Sequence, residues 1–97
     1  NNRLLEAQEA LQFGLINHLY PVDSYLDQTL SLAQSIAERA PLAVIAAKEM
    51  IKLSFEKSLT EGLKEERTKF YQLFSTEDQK EGMEAFLEKR DPEWKGK

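Results

Sequence analysis

The chain has 97 residues, of which 41% are hydrophobic and 31% charged, a mix that excludes a disordered chain and suits one globular or helical domain. Its net charge is −4, with bases interleaved among acids as in Lys64-Glu65-Glu66-Arg67, which excludes general binding of a nucleic-acid backbone. Absence of cysteine removes disulfides and thiolate chemistry and fits a reducing, cytoplasmic setting, and no apolar run approaches the roughly 20 residues needed to span a bilayer.

The chain opens Asn1-Asn2-Arg3 without an initiator methionine or a signal-peptide pattern, an opening that fits a piece of a longer protein. Leu4, Leu5, Ala7, Ala10 and Leu11 then form a helical stripe that stops at Gly14, a natural left-handed cap. Residues 15–20 alternate loosely up to Pro21 and read as a short extended piece. Asp23 can cap a second helix, whose Leu26, Leu30, Ala33, Ile36 and Ala37 keep steps of three and four until Pro41 interrupts.

Residues 42–55 are the most apolar segment, with Leu42, Val44, Ile45, Met50, Ile51 and Phe55 spread over more than one helix face, so this helix needs covering on several sides. Ser58-Leu59-Thr60-Glu61 is a capping-box pattern opening a helix that carries Leu63, Phe70, Leu73 and Phe74. Thr76-Glu77-Asp78-Gln79 repeats that logic for a last helix, predicted to bury Met83, Phe86 and Leu87 and to end at Asp91-Pro92. The expected architecture is all-α: about five helices and one short extended segment. Its surplus apolar faces predict association with another chain or domain.

Candidate chemistry is sparse. His18 has no acidic neighbour in sequence, and the glycines at 14, 62, 82 and 96 are too scattered to cradle a phosphate. The carboxylate pairs Glu61/Glu65, Glu77/Glu81 and Glu84/Glu88 share helix sides and read as solvated faces, with Lys57, Lys69 and Lys80 spaced to offset their repulsion. No catalytic residue and no metal-ligand set is expected on this chain. What remains is aromatic. Phe70 and Phe74 sit four apart, as helix core residues do, while Phe70 and Phe86 with nearby Lys89 are also suited to line a nucleotide-bearing ligand: rings stack on adenine and the ammonium pairs with phosphate.

Several blocks, in order, resemble one family. Ala7-Gln8-Glu9-Ala10-Leu11 with Gly14-Leu15-Ile16-Asn17, then Ala40-Pro41-Leu42-Ala43 with Lys48, then Phe74-Ser75-Thr76-Glu77-Asp78, and finally Glu81-Gly82-Met83-Glu84-Ala85-Phe86 through Trp94 and Gly96, are similar to the closing region of the crotonases, the enoyl-CoA hydratases and isomerases. The resemblance implies that residues 1–97 are the C-terminal helical region of a larger enzyme, the part that drives formation of a trimer or a dimer of trimers. The catalytic spiral domain, with its oxyanion-hole amides and glutamates, is not matched on this chain. It further implies an acyl-CoA substrate, no tightly bound cofactor, and a coenzyme site to which Phe70, Phe86 and Lys89 contribute. Trp94 stands where many members carry Phe, and Asp91 where a base is common. A stand-alone helical adaptor, dimerising through residues 42–55, is the competing expectation. Binding of RNA is disfavoured by the acidic balance.

Overall fold

The computed structural model describes residues 3–97, so Asn1 and Asn2, on which the reading of the chain's opening rests, lie outside the described residues. Five helices follow one another: α1 (Ala7–Gln12), α2 (Tyr25–Ala37), α3 (Pro41–Leu53), α4 (Leu59–Leu73) and α5 (Glu77–Glu88). No strand occurs among the described residues, and the 15–20 segment carries no regular structure. The chain divides into two compact units, residues 1–35 and 36–97, with α2 running across the boundary.

In the first unit, α1 opens with a reciprocal cap between Glu6 and Glu9. It ends where Gly14 takes φ +76 and Leu15 N–H reaches back to the Ala10 carbonyl, the left-handed stop expected from the sequence. Asp23 lies in the turn ahead of α2. Ser24 is the residue just before the helix, and its carbonyl accepts from Gln28 N–H while its Oγ accepts from the Gln28 side chain.

The second unit is built on α3 against α4. Pro41 stands at the first turn of α3, where its missing N–H leaves nothing unpaired. Ala46 is buried on that helix, and Glu49 pairs across to Lys69 of α4 at 3.1 Å. At α4 and α5 the N-cap half of the expected capping box is present: Ser58 Oγ accepts from Glu61 N–H at 3.2 Å and Thr76 Oγ1 from Gln79 N–H at 3.1 Å.

The end of α5 departs from the expectation. It stops at Glu88, three residues before Asp91, because Lys89 turns left-handed (φ 55, ψ 43). Lys89 N–H then bonds the Phe86 carbonyl at 3.3 Å and Arg90 N–H the Ala85 carbonyl at 3.0 Å, a Schellman closure that ends the helix without help from proline.

Burial also departs from it. Met83, Phe86 and Leu87 are exposed by 57%, 82% and 77%, while α5 buries Asp78 and Ala85. The side of α5 that carries Asp78 and Gly82 is taken by the chain's own tail, while the side that carries Phe86 stays open among the described residues. Ala46 and Ala85 are the buried apolar residues, and no large side chain is fully enclosed among the described residues.

Candidate functional site

Two surfaces of the second unit carry the residues singled out by the sequence. The first lies on α4. Phe70 meets Phe74 edge-on with ring centroids 5.1 Å apart, and Tyr71 is tilted against it at 6.2 Å. Beside this cluster is an almost wholly apolar hollow of about 310 Å³, bounded by Leu42, Phe70, Phe74, Met83 and Trp94. Phe70 remains 57% exposed, so it walls the hollow rather than filling a core.

The second surface is the C-terminal end of α5. Phe86 stands out there, and the exposed Lys89 follows on the left-handed turn, tied to Phe86 through their backbones. Lys89 makes no ion pair among the described residues, whereas its neighbour Arg90 is fully engaged. Phe86 and Lys89 thus share one helix end, where the ring is exposed and the ammonium has no ion pair among the described residues. The structure therefore joins Phe86 and Lys89 on one feature and places Phe70 on another.

Holding that end of α5 in place is a set of contacts that local sequence patterns did not reveal. Glu81 accepts two hydrogen bonds from the Arg90 guanidinium, at 2.6 and 2.9 Å, and a third from Glu93 N–H at 2.7 Å. The guanidinium, and then the Glu93 amide, hold the Glu81 carboxyl down at about 2. Arg90, paired with both Glu81 and Glu88, is held above its ordinary value. Glu81 was expected on a solvated face; instead it anchors the tail.

Asp78 is buried, and its two oxygens accept from Lys95 N–H and Gly96 N–H, each at 2.8 Å, while its own N–H bonds the Lys97 carbonyl. Between these anchors Trp94 lies over Gly82, where a Cβ would come within 3.2 Å of the ring, and its indole N–H donates to the Glu38 carbonyl at 2.8 Å. One signal was available. A glycine in mid-helix costs about 1 kcal/mol against alanine and calls for a packing reason, and Gly82 has one in Trp94. Among the described residues, no group of three or more His, Cys, Asp or Glu side chains could hold a metal ion.

Comparison with known proteins places this geometry. A family model described as enoyl-CoA hydratase/isomerase matches residues 1–97. The chain is 44% identical over 93 residues to a probable mitochondrial enoyl-CoA hydratase of Dictyostelium discoideum, covering 96% of this chain and 34% of that protein. It is equally identical, over the same number of residues, to the 2,3-dehydroadipyl-CoA hydratase of Escherichia coli, covering 96% of this chain and 36% of that protein. Among solved structures, an enoyl-CoA hydratase/isomerase from Mycobacterium paratuberculosis superposes with a TM-score of 0.93 at 31% identity, over 99% of this chain and 38% of that one. The chain thus spans about a third of the length of the relatives it matches, and the all-helical expectation of a crotonase segment holds. The chain belongs to the enoyl-CoA hydratase/isomerase family.

Proposed function

We propose that this chain is the C-terminal helical region of an enzyme that hydrates or isomerises an unsaturated acyl-CoA, and that it completes the coenzyme site and joins subunits. The observation that carries the coenzyme reading is the end of α5: Phe86 exposed, Lys89 unneutralised among the described residues, both fixed by the Schellman turn. In this reading Phe86 stacks on adenine and Lys89 pairs with a coenzyme phosphate. Phe70, held edge-on by Phe74, lends an aromatic wall from α4. Assembly is supported by the uncovered apolar side chains of α3 and α4, among them Ile45, Ile51 and Leu59 at 55%, 64% and 78% exposure.

The proton-moving groups and the oxyanion donors belong to the rest of the enzyme, so the chain by itself is inactive and needs no resident cofactor. The names of the relatives support a CoA thioester as substrate. In the whole enzyme, Phe86→Ala and Lys89→Ala are expected to raise KM for a CoA thioester with little change in kcat, because binding at the far end of the coenzyme is shared by ground and transition states. Lost turnover at unchanged KM would refute the assignment.

A further inference from the structure

We infer that Asp78 and Glu81 are positioning residues: by clasping the tail back along α5, they hold Lys89 in the one conformation from which it can meet an anion. The inference rests on the coenzyme reading above. It starts from the strain. A side-chain-bearing residue at φ 55 persists only where its surroundings over-determine the backbone. The helix end alone contributes two backbone bonds, from Lys89 and Arg90 N–H. The residues that follow the turn are held in addition by Glu81 and Asp78.

Immediately after Lys89, Arg90 is gripped by both oxygens of Glu81, a bidentate geometry that admits one orientation of the guanidinium. Glu81 also takes the Glu93 amide, so one carboxylate fixes the chain on both sides of Pro92. Further along, Asp78 takes the amides of Lys95 and Gly96. Asp78 is 3% exposed, and its two oxygens are engaged by backbone amides, a buried carboxylate satisfied by the tail itself. Trp94 over Gly82, bonded to the Glu38 carbonyl, closes the gap between the two anchors.

The clasp has an electrostatic consequence as well. With Arg90 neutralised by Glu81 and Glu88, Lys89 is left as the cation at this end of α5 without an ion pair among the described residues. Releasing the clasp frees the Lys89 turn to relax toward ordinary backbone angles and so moves the point from which its side chain starts.

The test is a double-variant comparison in the whole enzyme. Glu81→Gln and Asp78→Asn are each expected to raise KM for a CoA thioester roughly three- to tenfold with kcat within about twofold, the scale of one weakened charge-assisted hydrogen bond. In a Lys89→Ala background the same substitutions are expected to raise KM no further, since residues acting through one partner do not add. Additive effects would overturn the positioning role and leave the coenzyme reading standing. So would a KM unmoved by Glu81→Gln and Asp78→Asn while Lys89→Ala raises it. A KM unmoved by Lys89→Ala would overturn both. If either carboxylate variant fails to fold, Trp94→Phe serves in the same comparison, because it removes the indole bond to Glu38 and the ring edge over Gly82 while leaving Asp78 and Glu81 in place. A KM rise that disappears in the Lys89→Ala background supports the clasp, and an additive or absent one contradicts it.

Discussion

Lys89 occupies a conformation in which a Cβ crowds the backbone, at a penalty of about 1–2 kcal/mol relative to a right-handed residue. Glycine avoids that crowding. In the whole enzyme, Lys89→Gly is therefore expected to stabilise the fold by about 1 kcal/mol, read as a higher urea midpoint at unchanged slope. The same substitution removes the ammonium proposed to meet the coenzyme, so stability and affinity should move in opposite directions. A lowered midpoint would show that the lysine side chain itself holds the turn. Nothing in the local sequence announced this residue as a helix cap. Lysine has no preference for left-handed geometry, and the proline at position 92 offered a more familiar stop.

Between elements, the contacts that matter most join residues far apart in the chain. The caps at Ser58 and Thr76 were legible because each bond spans three residues and is written in a short motif. Glu81 meets Arg90 across nine residues, Asp78 meets Lys95 across 17, and Trp94 meets Glu38 across 56; helical periodicity carries no record of such separations. For the same reason periodicity does not reveal that Met83, Phe86 and Leu87 stay exposed. Their spacing marks an apolar face of α5 but not whether anything in the chain covers it.

The clasp has a pH signature. The Glu81 carboxyl, held at about 2 by Arg90 and the Glu93 amide, stands below its ordinary value of 4.5. A depressed carboxylate contributes stability above its unfolded value and loses it as pH falls through its folded value. The tail should therefore stay clasped above about pH 4.5 and release progressively between there and pH 2. Trp94 is the chain's single tryptophan, so its emission reports the tail directly. A red shift over that interval is expected, with Glu81→Gln already shifted at neutral pH. Emission that does not move down to pH 2, or that is the same in both proteins, would contradict the coupling.

At the scale of the whole molecule, the dominant fact is unfinished burial. A chain of 11.2 kDa that encloses no large side chain among its described residues, and leaves Phe55, Leu59 and Phe86 at 86%, 78% and 82% exposure, presents apolar surface that another surface is expected to cover. By itself in solution it is expected to associate; a clean monomer by light scattering at tens of micromolar would count against subunit assembly through these faces. The chain matches about a third of each relative's length, and the cover proposed for these faces is the remainder of the enzyme and neighbouring subunits.

The central claim, that the end of α5 holds the nucleotide end of an acyl-CoA, is tested most directly by shortening the substrate. The whole enzyme, Phe86→Ala and Lys89→Ala should be compared on a CoA thioester and on the pantetheine thioester of the same acyl group, which lacks the nucleotide. Each substitution is predicted to lower kcat/KM on the CoA thioester by roughly tenfold and to leave it unchanged on the pantetheine thioester. Equal losses on both substrates would contradict the account.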